Sequence, residues 1–480
     1  MPVFENLPQR DALAERIDAL FRERVGQKAT PGIRFAVFDR TGIVFEGGHG
    51  SAGTAGSPPA SHTRFRIASC TKSFTAAAVL ILRDRGQLSL DNPVTHYVPA
   101  LKPTLPKGRP EAPTVRMLLS MAGGLPTDDP WADRQESLSN AAFMAVIEKG
   151  VRFATAPGTR YEYSNLGYAL LGQVIEAVSG ERYVDFVANH LLAPLGLLET
   201  GFDPLSVAPE RMAIGYRPVD GDWSALPFTG PGAFSAIGGA VTTTHDLARW
   251  ASWLGDAFNP TSADMGPLSA SSRREMQRIQ CAMTPEPTEN ASLKGYGFGL
   301  VVEQNSRFGP VISHSGGYPG FSSHMRWNAH TGFGVVAFEN ATYSGAWTPT
   351  TAALDLLLDA ASASDGSAEE APSVIRELSA GLLQLLTKGW DDAVADTIFL
   401  ENVDMDRPYR ERAAELAALR EKAGALAPAE PKILPRDPGG ADGGFGRFEL
   451  RLPCAAGEIV ANVLCGPPEP LRIQSVTWRL

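Results

Sequence analysis

The sequence predicts an α/β protein of the α+β type, in which helices flank an antiparallel sheet. Short runs rich in β-branched and aromatic residues lie near both ends of the first 360 residues. The chain between them, from about residue 98 to 245, carries mainly the 3.6-residue apolar period of helices. A small, acidic segment then separates a last stretch that again contains both patterns. These three observations indicate a sheet domain with a helical insertion, followed by a smaller domain.

The first predicted strands form a hairpin. Residues 32–48, GIRFAVFDRTGIVFEGG, contain two β-rich runs around an Asp-Arg-Thr-Gly turn. Four further strand-like runs, separated by Gly, Pro and Asn turns, occupy residues 296–340. The simplest arrangement is one sheet subdomain built from residues 1–97 and 246–359, into which a mainly helical subdomain of residues 98–245 is inserted.

A linker and a second domain are predicted after the sheet subdomain. Residues 360–373 are small and acidic and lack large apolar side chains, which is typical of a linker. Residues 374–480 are enough for a small domain of their own. That stretch begins with helical periodicity and ends with three β-rich runs, so we expect an α+β fold. No motif in it indicates a chemical role.

The composition excludes several classes of function. The 480 residues carry a formal net charge of -10 without any cluster of Lys and Arg, which argues against a nucleic-acid partner. No apolar run reaches the length of about 18 residues that spans a membrane, so no membrane partner is expected. Cys and His lack metal-ligand spacing, and we expect neither a metal nor another cofactor. The N-terminal 28 residues predict an amphipathic helix rather than a signal peptide, so a cytoplasmic location is expected.

The first chemical motif is the Ser69-x-x-Lys72 spacing at the start of an apolar run. A serine hydroxyl is a poor nucleophile at neutral pH and needs a base within hydrogen-bond reach. Positions i and i+3 share one face of a helix, which allows Lys72 to lie beside Ser69. Taken alone, the pattern also fits a polar helix start with a solvated lysine. The neighbouring Cys70 is expected to point into the core, about 100° around the helix.

The second motif is Tyr163-Ser164-Asn165, directly before a predicted helix. A phenol can relay a proton to a leaving group when nearby positive charge stabilises its anion. The amide of Asn165 can hold a lysine and a substrate amide by hydrogen bonds. Alone, the motif also fits a packed tyrosine and an asparagine helix cap.

The third motif is His314-Ser315-Gly316-Gly317 at the end of a predicted strand. A glycine-containing edge strand lets a substrate backbone lie alongside and leaves an N–H group as an oxyanion donor. A second His-x-Gly at His330 falls where a hairpin turn is expected, and we interpret it as structural.

The three motifs together, in this order, resemble the serine β-lactamase and penicillin-binding-protein superfamily in its class C β-lactamase-like branch. That branch includes DD-carboxypeptidases, D-aminopeptidases, family VIII esterases and penicillin-binding-protein-type thioesterases. The resemblance covers about residues 30–345. Two further segments support it, VRMLLSMAGGLP at 115–126 and AIGGAVTTTHDLARW at 236–250. The fold implied is the β-lactamase/transpeptidase-like fold.

The resemblance also implies roles for single residues. Ser69 would be the acylated nucleophile, Lys72 its base and Tyr163 the proton shuttle. The backbone N–H groups of Ser69 and Gly317 would form the oxyanion hole. The substrate-binding and orienting residues implied are Asn165, His314, Ser315 and Gly316.

Three features depart from the family pattern or are individual to this chain. His314 stands where class C enzymes have lysine, which favours peptide-like substrates over β-lactams and makes the local charge dependent on pH. Met121 replaces a common histidine. The loop after residue 126 carries Asp128, Asp129 and Asp133 beside Trp131, a candidate pocket loop for a cationic substrate group. The alternative is a solvated loop stiffened by proline.

The predicted function is a metal-independent serine hydrolase that cleaves an ester or amide, with a D-amino-acid peptide or small ester as substrate. The main alternative is a thioesterase or acyl-transferase that cyclises a peptide delivered on a carrier protein. An alternative of another class is a non-enzymatic binding or sensor protein on the same fold. The presence of the nucleophile, lysine, tyrosine and glycines together favours an enzyme.

Overall fold

A computed structural model of the protein describes residues 3–53, 56–104, 112–127, 132–259, 261–263, 265–284, 293–305, 307–365, 373–427, 431–435, 446–466 and 471–480. The chain divides into two compact units, Met1–Ser364 and Asp365–Leu480. Each unit has its own helices, sheet and apolar core. The predicted mixed fold, an antiparallel sheet flanked by helices and followed by α+β structure, is confirmed.

The first unit is organised around an antiparallel sheet. Within the described residues this sheet has eight strands in the order β2-β1-β14-β13-β12-β11-β10-β9. Their bounds are β1 Gly32–Asp39, β2 Gly42–Gly50, β9 Cys281–Ala282, β10 Leu293–Tyr296, β11 Val301–Asn305, β12 Gly309–Tyr318, β13 Phe321–Asn328 and β14 Gly334–Glu339. The sheet joins the two ends of the unit, because β1 pairs with β14 from Ile33↔Glu339 to Phe38↔Gly334.

Both faces of the central strands are covered. Along β1, Phe35 and Val37 enter one apolar cluster, whereas Ala36 and Phe38 enter another. Successive side chains of a strand point to opposite faces, so this alternation places one core on each side of the sheet. The first cluster includes the buried Ile17 from the N-terminal helix, as the periodicity of that helix predicts.

Helices occupy most of the chain between the two groups of strands. The helices of this unit are α1 Arg10–Gly26, α2 Lys72–Asp84, α3 Val115–Leu119, α4 Asn140–Glu148, α5 Asn165–Ser179, α6 Tyr183–Val187, α7 Ser235–Gly238, α8 Thr244–Gly255, α9 Ala270–Met276 and α10 Trp347–Asp365. Short strands pair among them: β3 Phe65–Arg66 with β8 Val241–Thr242, β4 Pro103–Thr104 with β5 Val151–Arg152, and β6 Tyr216–Val219 with β7 Asp222–Ala225. Short 3₁₀ turns lie at Phe4–Asn6, Ala68–Thr71, Val94–His96, Asp133–Gln135, Pro204–Ser206, Pro209–Arg211 and Asp256–Phe258, and a π turn lies at Ala188–Leu192.

The second unit begins with helices and ends with strands, as its sequence pattern predicts. Its helices are α11 Ser373–Lys388, α12 Asp392–Ile398, α13 Asn402–Asp406 and α14 Tyr409–Ala423. Its four-stranded sheet has the order β15-β16-β17-β18, with β15 Lys432–Pro435, β16 Arg447–Cys454, β17 Gly457–Cys465 and β18 Ile473–Arg479. The core of this unit packs Leu382 with Phe448 and Ile459.

The predicted linker of residues 360–373 begins inside a helix, which corrects its first boundary. Helix α10 runs to Asp365. The alanines of this segment favour helix, and Ala361 is buried in the core. Within the described ranges, the structure contains no helix that is both long and apolar enough to cross a bilayer.

Candidate active site

Ser69 lies in a strained turn that joins a strand to a helix. Strand β3 ends at Arg66, a 3₁₀ turn covers Ala68–Thr71, and α2 begins at Lys72. Ala68 adopts a left-handed backbone with φ of 45°, a conformation that costs free energy for a residue with a side chain. Residues i and i+3 are eclipsed in a 3₁₀ turn. The turn therefore brings the side chains of Ser69 and Lys72 together.

Lys72 is fully buried and reaches across the turn to the serine. Its Nζ lies 2.9 Å from Ser69 Oγ. It also donates to Asn165 Oδ1 at 2.6 Å and to the Ile237 carbonyl at 2.8 Å. Ser69 itself is 9% exposed, whereas Lys72 is 0% exposed, so the serine is the one of the two that reaches the surface.

The Tyr163-Ser164-Asn165 motif forms the start of α5. Asn165 is the first residue of the helix and is buried, and its amide oxygen faces the lysine. The ring of Tyr163 lies over the lysine, with its centroid 5.1 Å from Lys72 Nζ. The structure therefore brings the first two motifs together around the side-chain nitrogen of Lys72.

His314 of β12 approaches the same group from the sheet. Its ring centroid lies 6.4 Å from that of Tyr163. Its Nδ1 lies 2.6 Å from the Ser315 carbonyl, which can only accept, so Nδ1 carries the proton. Nε2 lies 2.9 Å from the Tyr296 hydroxyl and accepts from it.

The expectation that His314 makes the local charge depend on pH near neutrality is wrong. Burial, and secondarily the positive charge of Lys72, lower the pKa of His314 from 6.5 to about 3. The ring is 3% exposed, and charging it there costs the hydration of the imidazolium. His314 is therefore a neutral hydrogen-bonding group, unlike the lysine of class C enzymes.

The glycines of β12 allow close contact with the turn that carries Ser69. A Cβ atom at Gly316 would lie 2.2 Å from the Ile67 carbonyl oxygen, so a larger residue there would push the strand away. The Cys70 thiol donates to the His314 carbonyl at 3.2 Å, and the Ser323 hydroxyl donates to the Ile67 carbonyl at 2.7 Å. Cys70 is thus a buried core residue, as expected, and it also ties β12 to the turn.

Strand β12 is not an edge strand, contrary to the sequence-based expectation. It lies between β11 and β13, but β11 pairs only with Gly309–Ser313. From His314 to Tyr318, β12 pairs with β13 on one side, and among the described residues no strand pairs with it on the other side. We call this stretch the open edge. It supplies the free edge that the motif predicts, in the second half of an interior strand.

The remaining predicted residues are placed as follows. Ser315 is exposed and its hydroxyl lies 2.9 Å from His324 Nδ1. His330 lies in the turn between β13 and β14, as its structural interpretation predicts. Asp128, Asp129 and Trp131 lie outside the described residues.

Met121 contacts the tyrosine motif directly. The Ser164 N–H group donates to Met121 Sδ at 3.4 Å. The backbone of Met121 is left-handed, with φ of 58°. The Met121 thioether, which replaces the common histidine, is thus a weak acceptor for the N–H group of Ser164, the residue between Tyr163 and Asn165.

Sequence reasoning missed several groups around the site. The Ile237 carbonyl and the Tyr296 hydroxyl bind Lys72 and His314, respectively. A buried ion pair also lies behind the turn, where Arg66 Nη1 donates to Glu136 Oε2 at 2.5 Å. Arg66 lies only three residues before Ser69, but its partner is 70 residues away, so no local spacing signals the pair.

A sequence model of the family described as Beta-lactamase matches residues 17–359. This is more than half of the chain. The chain belongs to the Beta-lactamase family. The superfamily resemblance found from the three motifs is therefore confirmed.

Curated relatives of this Beta-lactamase family member match over part of their length. Protein flp of Staphylococcus aureus (strain COL) is 27% identical over 335 residues, which cover 68% of this chain and 63% of that protein. Penicillin-binding protein 4* of Bacillus subtilis (strain 168) is 28% identical over 320 residues, covering 60% and 65%. The chain thus spans less than two thirds of the length of these curated relatives.

Solved structures of other proteins share the fold of this chain. The D-amino acid amidase from Ochrobactrum anthropi SV3, complexed with L-phenylalanine amide, is 26% identical, with a TM-score of 0.58 over 74% of this chain and 99% of that chain. The octameric penicillin-binding protein homologue from Pyrococcus abyssi is 24% identical, with a TM-score of 0.63 over 94% and 91%. The second likeness is one of fold and extends into the second unit. The structural neighbours thus include an amidase and EstCE1, a hydrolase with promiscuous acyltransferase activity.

Proposed function

We propose that the protein is a serine hydrolase that forms an acyl-enzyme on Ser69 and cleaves an ester or amide. The observation that carries this proposal is the chain of hydrogen bonds from Ser69 Oγ through Lys72 Nζ to Asn165 Oδ1. A buried lysine within hydrogen-bond reach of a serine hydroxyl supplies the adjacent base that a serine nucleophile needs.

The contacts of Lys72 favour its role as the base. Asn165 Oδ1 and the Ile237 carbonyl both accept, so each needs a hydrogen from Nζ. After Lys72 loses one proton, its amine has two hydrogens for these oxygens and a lone pair that can accept the proton of Ser69. The two acceptors therefore orient the lone pair toward the nucleophile, in the way a third group orients the base of a catalytic triad.

The proposed reaction proceeds in two steps. Ser69 Oγ attacks the carbonyl carbon as its proton moves to Lys72, and the oxyanion accepts from the N–H groups of Ser69 and Gly317. Tyr163, whose ring lies against Lys72, passes the proton to the leaving alcohol or amine as the bond to carbon breaks. A water then attacks the acyl-enzyme, and its hydrolysis restores Ser69.

Small amides and esters, including D-amino-acid amides, are the proposed substrates. The neutral His314 in place of a lysine removes a cation that could bind an anionic substrate group. The similarity to a D-amino acid amidase supports testing D-amino-acid amides first. We also propose that β-lactamase activity is weak or absent, because His314 departs from the class C pattern.

The proposal is tested by covalent labelling. The protein is incubated with a fluorophosphonate and, separately, with a β-lactam, and intact mass and peptide mapping locate any adduct. We expect the fluorophosphonate on Ser69 and none in Ser69→Ala, whereas Ser57→Ala, which removes an exposed hydroxyl elsewhere in the same unit, retains labelling. Folded wild-type protein that takes neither reagent would contradict the proposal and favour a binding protein on this fold. Analysis of the products formed with an added amine then separates hydrolysis from acyl transfer.

A further inference from the structure

Two tyrosines fasten one short segment to the end of the open edge. The segment Asp133–Glu136, which we call the end turn, comprises the 3₁₀ turn Asp133–Gln135 and the residue after it. Tyr318, the last residue of β12, donates to Glu136 Oε2 at 2.6 Å. Tyr343, which follows β14, donates to Asp133 Oδ2 at 2.6 Å. Both carboxylates are buried.

The two tyrosines approach from opposite faces of the strand. The Cβ position of Gly316 points at the Ile67 carbonyl, on the face of the Ser69 turn, whereas that of Gly317 lies 2.3 Å from Tyr343 Cδ1. Successive residues of a strand point to opposite faces, so Tyr318 shares the face of Gly316. The end turn is therefore fastened from both sides of β12 at its C-terminal end.

Further buried contacts hold the end turn and Tyr343 in place. Arg66 and Glu136 form an ion pair in which the two side chains are 1% and 2% exposed. Arg66 also donates to the Thr229 carbonyl at 2.5 Å. Tyr343 has φ of 48°, a strained conformation for an aromatic residue that persists only when its contacts hold it.

The open edge is thus short, and the end turn is hydrogen-bonded to Tyr318 at its C-terminal end. From His314 to Tyr318 it offers five residues, or about 16 Å of strand. A peptide-like substrate binds such an edge as an added strand, and in an antiparallel sheet its N-terminal, acyl side lies toward Tyr318. In the proposed function the scissile carbonyl binds the N–H group of Gly317, one residue before the end of β12 at Tyr318.

We propose that the end turn, held by Tyr318 and Tyr343, closes the acyl subsite, so that the enzyme accepts acyl groups of about one amino-acid residue and rejects longer ones. This inference rests on the proposed acyl-enzyme at Ser69. Tyr343 and Asp133 are then specificity-determining residues, because they limit the length of the acyl group without taking part in proton transfer.

The experiment compares acyl lengths with a fixed leaving group. The probes are the p-nitroanilides of alanine, dialanine and trialanine, in the D and L series, and kcat/KM is measured for each. We expect wild-type kcat/KM to fall about tenfold or more when the second residue is added. In Tyr343→Ala the preference for alanine over dialanine, expressed as the ratio of the two kcat/KM values, should be about tenfold smaller than in wild type. Tyr343→Phe, which keeps the ring and removes the hydroxyl that bonds Asp133, should lower this preference by less.

Controls separate this subsite from general damage. Tyr97→Phe removes a hydroxyl that bonds Ser89 and Asn92 elsewhere in the same unit, and it should leave the length ratio unchanged. A second series, alanine amide against alanine p-nitroanilide, varies the leaving group at fixed acyl length. Its ratio should be the same in wild type and Tyr343→Ala.

Each outcome decides the inference. A wild-type preference for trialanine, or length ratios that stay at the wild-type value in folded Tyr343→Ala and Tyr343→Phe, would overturn it. If Tyr343→Ala does not fold, Tyr343→Phe decides alone. Fluorophosphonate labelling of Ser69 is measured beside these assays. Labelled protein that hydrolyses no single-residue probe counts against the closed subsite, whereas unlabelled protein counts against the proposed function itself.

Discussion

Replacing His314 with glutamine should make the protein less sensitive to acid. In the folded protein the ring is buried, donates from Nδ1 to the Ser315 carbonyl and accepts at Nε2 from Tyr296. Burial and the charge of Lys72 lower its pKa from 6.5 to about 3. A glutamine side chain also offers one donor group and one acceptor but takes up no proton in this range.

The magnitude follows from the two pKa values. The unfolded chain protonates this histidine below about pH 6.5, and the folded chain does so only near pH 3. Between these values the unfolded state binds more protons, so the free energy of unfolding falls as the pH falls. The contribution is fully present above about pH 6.5. At about pH 4.5, two units below the unfolded value, the loss is about 3 kcal/mol at 1.36 kcal/mol per unit.

Urea unfolding at about pH 7 and about pH 4.5, at equal ionic strength, measures this loss. Wild type and His314→Gln share the same carboxylates, so the difference between their pH dependences isolates the histidine. We expect wild type to lose about 3 kcal/mol more than the variant between the two pH values. The exposed His62 provides the matched control, because His62→Gln should behave as wild type does. An equal loss in wild type and His314→Gln would refute the argument.

Three further predictions concern the same unit. Lys72→Met should lower kcat/KM by roughly 10³-fold or more, since the base is lost. Lys102→Met, which changes an exposed lysine, is the control. A loss of kcat/KM below about tenfold in Lys72→Met would contradict the assigned role. Burial raises the pKa of the Cys70 thiol to about 12, so iodoacetamide near pH 8 should leave it unmodified until urea is added; peptide mapping that finds native Cys70 labelled would count against this. Arg66→Met should lower the free energy of unfolding by about 3–5 kcal/mol because it leaves a buried carboxylate unpaired. The double variant Arg66→Met/Glu136→Leu should recover part of that loss, and urea unfolding that shows a still larger loss would contradict the ion-pair explanation.

Much of the fold follows from local pattern. The hairpin of β1 and β2 was predictable because its β-rich runs flank a turn. Strand β1 lacks polar alternation, and the structure gives the reason: both of its faces are buried. The order of the strands could not be derived, since β1 pairs with residues about 300 positions later. The linker boundary failed because small alanines suit a helix as well as a linker.

The candidate site likewise contains groups that the sequence predicts and groups that it does not. Ser69 and Lys72 are three residues apart, so local geometry alone brings them together. The Ile237 carbonyl lies 165 residues from Lys72, and a backbone atom leaves no mark in the sequence. The expectation for His314 failed because its titration depends on burial, and residues far away in the sequence, such as Tyr163 and Tyr296, pack against its ring.

The pairing of β1 with β14 has a consequence for biosynthesis. Ile33 pairs with Glu339, so at a synthesis rate of about 5–20 residues per second the strand waits roughly 15–60 s for its partner. Until then one side of an apolar strand is unpaired, and such edges invite association with other chains. The open edge of β12 likewise emerges from the ribosome long after the serine. We expect the nascent chain to have no hydrolytic activity until nearly the whole first unit has been made, and to need protection from aggregation while it waits.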